Sequence, residues 1–312
     1  MERRILQNSK RDLSSLVAMK KFIIGFVITI MSIAFGIGQC NNTTEENYIE
    51  NGSFSCNDSE HINKEEGIVE SVRENITEKI DDKIGLSVMD EMVSLPTNVP
   101  SQLLTRTAYR LSYNKETLCP NWVAWHLTAE HTDGPIGRLS NFHEDEDVPA
   151  PRATLADYRK SGWSRGHMCP AGDNKWDEQA MYESFALTNV CPQNSSLNSG
   201  LWNSVEMDCR KWAKKYGDIY IVCGPLFLNK EHETIGINKV VVPEAFFKVV
   251  LCLNGKPKAF GIITRNTEGN KKRDLYYNSV DQVERITGID FFPALPDDIE
   301  NEVEAEANIK DW

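Results

Sequence analysis

The sequence predicts an α+β domain. Segments that read as strands cluster next to one another, helical segments are inserted between the clusters, and no regular strand–helix alternation runs through the chain. In chain order, "TRTAYRLSYN" (105–114) alternates and carries aromatics, as a half-buried strand does. "NWVAWHLTAE" (121–130) reads as a second strand. "WDEQAMYESFALT" (176–188) and "NSGLWNSVEMDCRKWAKKYG" (198–217) read as helices. "DIYIVCGPLFL" (218–228) reads as a buried strand stopped by Gly224-Pro225. "AFFKVVLCLNGKPKAFGIIT" (245–264) reads as a hairpin with "NGKP" as its turn. "SVDQVERITG" (279–288) is a short helix with Ser279 as N-cap and Gly288 at its end.

Length and charge bound the function. The 312 residues suffice for one large or two ordinary domains, and the net charge of −12 argues against a protein that coats nucleic acid through bulk basicity. A local basic cleft on an acidic body stays open.

Lys20 and Lys21 precede the apolar run "FIIGFVITIMSIAFGIG" (22–38), which leads to Cys40. Residues 1–40 therefore read as a signal sequence or as an N-terminal membrane or lipid anchor, and Met19 is a natural alternative start. Either reading implies export: a secreted, periplasmic or outward-facing anchored protein, with membrane contact only through this segment. Residues 41–100 are rich in Asn, Glu, Ser and Thr and read as a polar linker. The domain is then expected over 101–312.

Six of the eight cysteines lie within that domain: Cys119, Cys169, Cys191, Cys209, Cys223 and Cys252. In an exported chain that count suggests disulfides. Structural zinc is the rival, but no C-x2-C or H-x3-H spacing is present.

Chemistry concentrates in "SRGHMCPAGDNKW" (164–176) and "LTNVCPQNSSLNSGLWNSVE" (187–206). His167 alone is unremarkable, since a lone histidine beside an arginine is usually a surface or satisfied core residue. Its neighbours change that. Asn198 opens a helical segment, on which Asn198, Trp202 and Glu206 share one side by i, i+4, i+8 spacing. An asparagine carbonyl with a carboxylate nearby suits a hard divalent cation that keeps several waters, magnesium rather than zinc. A neutral histidine accepts a proton from water near neutral pH. An arginine neutralises charge developing at phosphorus. These are the parts of a phosphodiester hydrolase, held at this point as one reading among several.

The two stretches, with "NWVAWHL", "GRLSNFHEDEDVP", "IYIVCGPLF", "VVPEAFFKVVL" and "ITGIDFFPALP" in the same order, resemble the DNA/RNA non-specific endonuclease family over roughly residues 103–297. The resemblance implies a ββα-metal (His-Me) finger set in a mixed, largely antiparallel sheet. It implies a Mg²⁺-dependent, sugar- and sequence-non-specific endonuclease acting on DNA and RNA, with Mn²⁺ as a further metal and a homodimer as a common state. His167 matches the general base, and Asn198 the direct metal ligand. Glu206 matches a carboxylate that orients metal-bound water, and Arg165 an arginine near the scissile phosphate. Asn189 matches an asparagine that fixes local geometry, and Arg138 a further phosphate-contacting arginine. The family's leading aspartate is Ser164 here, which puts metal affinity and the hydrogen bonding around Arg165 in question. Cys169 and Cys191, each two residues beyond a site residue, are expected to bridge and brace the site.

Other features carry plainer expectations. Asp173 reads as part of a turn, with a role near the metal as its alternative. Trp163, Trp176 and Trp202 read mainly as core rather than base-stacking residues. The run "HEDED" (143–147) reads as a loop, and "KWAKKYG" and "GNKKRD" as solvated basic patches. Two other functions remain open: a phosphodiesterase acting on small nucleotides, and a nucleic-acid-binding homologue without catalysis.

Overall fold

The computed structural model describes residues 92–267, 273–307 and 309–312. The expected leader or anchor over 1–40, most of the expected linker, Cys40 and Cys56 lie outside the described residues. Among the described residues no helix is long and apolar enough to cross a membrane.

The chain enters through β1 (Val93–Ser94), which pairs antiparallel with β13 (Asp290–Phe291). Met92 is buried beside it, so the packed body starts earlier than the expected boundary at 101. The central sheet comprises β2 (Gln102–Thr105), β3 (Arg110–Asn114), β4 (Cys119–Thr128), β7 (Asp218–Leu226), β10 (Ala245–Cys252), β11 (Lys258–Arg265) and β12 (Tyr277–Asn278). Their spatial order is β12-β11-β10-β7-β4-β3-β2, and every ladder is antiparallel. Two short pairs stand apart: β5 (Ser164–His167) with β6 (Val190–Gln193), and β8 (Thr234–Ile235) with β9 (Val240–Val241).

The helices are α1 (Leu155–Tyr158), α2 (Glu178–Ser184), α3 (Ser195–Leu197), α4 (Asn203–Tyr216), α5 (Val280–Thr287) and α6 (Asp297–Ala305). They cover both faces of the sheet, which is why all eight residues of β10 are buried. On one face Trp125, Ile221, Phe246 and Val250 pack with Trp202, Val205, Cys209 and Ala213 of the long helix and with Met168 and Val190 of the β5–β6 hairpin. On the other face Ala124, Val222, Phe247 and Val249 pack with Val280, Val283 and Val303. The alternation of β10 sends Phe246 and Lys248 to the hairpin face and Phe247 and Val249 to the other.

Two elements differ from their sequence reading. Residues 102–114 form two strands with a turn closed by Arg106 N–H to Tyr109 O (2.8 Å), not one strand. β7 runs through Gly224-Pro225 instead of stopping there. Its ladder to β4 ends at Cys223, so the missing amide proton of Pro225 interrupts no pairing on that side.

The junction between β6 and α3 is fixed to the sheet by Asn266, which follows β11. Its Oδ1 accepts from Asn194 N–H (2.8 Å), and its Nδ2 donates to the carbonyls of Pro192 (3.0 Å) and Pro243 (2.9 Å). These bonds set where the hairpin ends and the helix begins. Asn266→Ala leaves three backbone groups without partners and is expected to lower unfolding free energy by roughly 2–4 kcal/mol. Urea denaturation of wild type and variant checks it, and a loss under about 0.5 kcal/mol would contradict the role.

Candidate active site

The hairpin and the helix form one unit. In the hairpin Arg165 lies opposite Pro192, Gly166 opposite Cys191 and His167 opposite Val190. Gly166 is required by crowding, because a Cβ there would sit 2.6 Å from the Cβ of buried Gln193. Just beyond the ladder, Asn189 closes the turn. Its Oδ1 accepts from Cys169 N–H (2.9 Å), and its Nδ2 donates to the carbonyls of Cys169 and Ser184 (2.8 Å each). Asn189 is fully buried, and these bonds hold the loop after His167.

The helix starts at Asn194, not at Asn198 as expected. The Asn194 side chain caps it by accepting from Ser196 N–H (2.9 Å) and Leu197 N–H (3.1 Å). Asn198 lies a turn inside, at the start of a π-helical turn over Asn198–Trp202 that joins α3 to α4. Such turns insert extra backbone and recur at functional sites. The straight α-helical register expected for Asn198, Trp202 and Glu206 therefore does not form. Trp202 turns into the core, while Asn198 and Glu206 stay partly exposed.

Ser164, where the family pattern has aspartate, shares a 2.7 Å hydrogen bond with the Ser195 hydroxyl. It ties the first residue of β5 to the first turn of the helix. A carboxylate is replaced here by a neutral tether.

His167 is 7% exposed, and its ring packs between Phe142 and Phe185, each with a centroid 4.9 Å away. Its Nε2 is buried without a hydrogen-bond partner. Burial, helped by the positive charges of Arg138 and Arg165, pushes its pKa down to about 3. The imidazole is thus neutral across the physiological range; the same shift weakens it as a base, and the negative charge of a bound phosphate would oppose that shift. Arg165 lies over the Phe142 ring (4.5 Å) and Arg138 over the Phe185 ring (5.5 Å). Both arginines are exposed, and neither guanidinium is in an ion pair among the described residues. The two phenylalanines therefore flank the histidine and carry the arginines at its rim.

Behind the helix lies a charged group that sequence reasoning missed. Lys248 is fully buried, with its ammonium 4.8 Å from the Trp125 ring and 4.7 Å from the Trp202 ring, and Nζ has no hydrogen-bond partner. Burial opposes its charge. The carboxylates of Glu206 and Asp173 nearby offset that. The signal was present: a lysine inside the apolar run "AFFKVVL". Asp173 does sit in a turn, but it is buried and accepts from Arg210 NH1 (2.7 Å) and Trp125 Nε1 (3.1 Å). Glu206 and Arg210 stand one turn apart on α4. Burial pushes the Glu206 pKa up to about 7; Asp173 adds to this, while Lys248, Arg210 and Arg138 counter it.

The six cysteines are buried free thiols, so the expected Cys169–Cys191 bridge is not formed. The reason is geometric. Cys191 lies within the ladder opposite Gly166, with Cys119 as its thiol neighbour, whereas Cys169 lies beyond the ladder and accepts from Asn174 Nδ2 (3.4 Å). The plainer readings fare variously. Trp202 is core, while Trp163 donates to Glu233 (2.8 Å) and Trp176 stacks on His131 (4.5 Å). Asp145 of "HEDED" is buried, bound by Arg106 (2.6 Å) and Thr188.

Asn198 of the π turn and Glu206 of α4 are both partly exposed and offer oxygen ligands, which suit a hard divalent cation better than zinc. An open cavity of about 280 Å³ runs along α4, lined by Thr132, Gly172, Lys175, Met207, Arg210, Lys211 and Lys214.

A hairpin ending in histidine followed by a helix carrying asparagine and glutamate, docked on an antiparallel sheet, defines a ββα-metal nuclease fold. The sequence model of the DNA/RNA non-specific endonuclease family matches residues 91–298, and the chain belongs to that family. It is 38% identical over 206 residues to the mitochondrial nuclease EXOG of Danio rerio, covering 61% of this chain and 60% of that one. It is 35% identical over 210 residues to mitochondrial endonuclease G of Bos taurus, covering 62% and 70%. It is 38% identical over 209 residues to nuclease C1 of Cunninghamella echinulata var. echinulata, covering 62% and 83%. A crystal structure of the EndoG/EndoGI complex superposes with a TM-score of 0.61 at 30% identity, covering 67% of this chain and 91% of that chain. The chain thus spans about three fifths of the length of the EXOG relative.

The raised Glu206 pKa has a stability consequence. The unfolded chain releases this proton near 4.5, and the folded one near 7. Between those values the folded state binds more protons, so the contribution of Glu206 to stability is present below 4.5 and lost as pH rises through 7. In chelator, the difference in Tm between wild type and Glu206→Gln should fall steadily over that window. A difference independent of pH would contradict the assignment.

Proposed function

We propose that the protein is a divalent-metal-dependent endonuclease that hydrolyses phosphodiester bonds of DNA and RNA without sugar or sequence specificity. The observation that carries the reading is the neutral, unpartnered imidazole of His167, set against two arginine-capped phenylalanines at the end of the hairpin that leads into the helix of Asn198 and Glu206. The names of the relatives, nucleases and endonucleases, agree with it.

The residues divide the work as follows. Arg165 and Arg138 bind non-bridging oxygens of the phosphate at the rim of the slot, where neither has a competing carboxylate. His167 takes a proton from a water in line with the P–O3′ bond. The water oxygen bonds to phosphorus as that bond breaks. The product ends are then a 5′-phosphate and a 3′-hydroxyl, whose proton comes from solvent. Asn198 would hold Mg²⁺, or Mn²⁺, with Glu206 orienting its water shell, and the ion supplies positive charge against the phosphate and the leaving oxygen. Glu206 serves in its ionised form, and the buried Lys248 charge favours that form. The basic lining of the cavity along α4 suits flanking phosphates of a polymer. Contacts confined to phosphates read no base, so sequence preference is not expected.

The test uses the purified full chain with a supercoiled plasmid and a structured RNA, each in Mg²⁺ or EDTA. Both polymers should be cut in Mg²⁺ and neither in EDTA, with Asn198→Ala slower by about 100-fold or more. Hydrolysis of bis(p-nitrophenyl) phosphate with both polymers intact would point to a small-substrate phosphodiesterase. No hydrolysis at all would point to a binding homologue. Either result overturns the proposal.

A further inference from the structure

A second cluster of oxygen ligands lies on the face of the sheet away from the His167 slot. Asp281 and Glu284, three residues apart on α5, meet Glu304 of α6, and one carboxylate oxygen of each lies within 4.8 Å of the others. Acidic groups gathered on a surface need no ion, but this cluster is not only on the surface. Glu304 is 8% exposed, and its Oε1 is buried with no hydrogen-bond partner. A buried carboxylate oxygen without a partner lacks the donor that such a group normally has. Glu284 is held in place by accepting from Phe291 N–H (2.8 Å). Burial pushes the Glu304 carboxyl up to about 8, and each neighbouring charge that acts on it, from Glu284, Glu300, Asp281 and Asp290, is negative.

We propose that Asp281, Glu284 and Glu304 form a Ca²⁺ site that joins α5 to α6, separate from the nuclease centre. Three carboxylates supply up to six oxygens in an irregular arrangement. Ca²⁺ accepts that arrangement at 6–8 ligands, whereas Mg²⁺ demands near-ideal octahedral geometry. The ion gives the buried Glu304 oxygen its partner and cancels repulsion between the two helices. Its role is to pin α6 onto α5 and β11, so it acts on stability and leaves the His167 slot unchanged.

The test uses the full chain carrying Asn198→Ala, stripped with chelator, so that binding at the proposed active site is removed. Titration calorimetry with Ca²⁺ up to about 1 mM should give one site, with Mg²⁺ binding more weakly. Adding Asp281→Asn, an exposed position that leaves the core intact, should weaken binding about tenfold or more, as should Glu304→Gln. In the otherwise wild-type chain, Asp281→Asn should keep the plasmid cleavage rate and remove the rise in Tm caused by Ca²⁺. No Ca²⁺ binding in the Asn198→Ala chain would overturn the site. So would binding that survives both substitutions, or a Glu304→Gln chain stabilised equally with and without Ca²⁺, which would mark Glu304 as a protonated carboxyl. None of these outcomes bears on nuclease activity, so the two proposals fail separately.

Discussion

The buried ammonium of Lys248 is the constraint around which the half of the molecule that carries His167 is arranged. An isolated buried charge is tolerated only with nearby countercharge or polarisable partners. The structure supplies both. Trp125 of the sheet and Trp202 of the helix close over the ammonium at 4.8 and 4.7 Å. Glu206 and Asp173 provide the negative charge. Asp173 is in turn held by Arg210 and by the Trp125 indole. The helix cannot rotate or slide without uncovering the lysine. The π turn over Asn198–Trp202 is part of the same arrangement, because it delivers Trp202 to the core while Asn198 stays half-buried at the surface.

The same fold pushes its two proton-handling groups in opposite directions. Burial lowers the pKa of His167 to about 3 and raises that of Glu206 to about 7. Both shifts follow from desolvation of the charged form, one a cation and the other an anion. The local charges differ: arginines beside the histidine reinforce its neutrality, whereas Lys248, Arg210 and Arg138 work against protonation of the glutamate. The neutral imidazole of His167 and the oxygen ligands of Asn198 and Glu206 thus lie on elements that follow one another in the chain. Asn189 and Asn266 hold those elements in register, one at the hairpin and one at its junction with the sheet.

The strands and the family motifs were legible because their signals are local or lie in short stretches. The alternation and aromatics of 121–128 and 245–252 read as strands, and the Ser279 cap with Gly288 bounded α5. His167, Asn198 and Glu206 sat in two ordered motifs. What stayed hidden depends on distant partners. Asn194 as the true cap rests partly on Asn266, 72 residues away. The role of Lys248 appears only once two tryptophans from different elements close over it. The Cys169–Cys191 expectation failed because spacing in sequence carried no information about the end of the β5–β6 ladder. Ser164 looked like a loss from the family pattern, and its 2.7 Å bond to Ser195 is invisible without the hairpin-to-helix geometry.

The central claim is that His167 acts as a proton acceptor and not merely as a packing residue between Phe142 and Phe185. Chemical rescue tests it most directly. His167→Gly vacates the slot, and plasmid cleavage is then followed with imidazole added over a range of pH. The account predicts slow cleavage that imidazole restores in proportion to its free-base concentration, with the fold unchanged by circular dichroism. Cleavage at the wild-type rate without imidazole would contradict it.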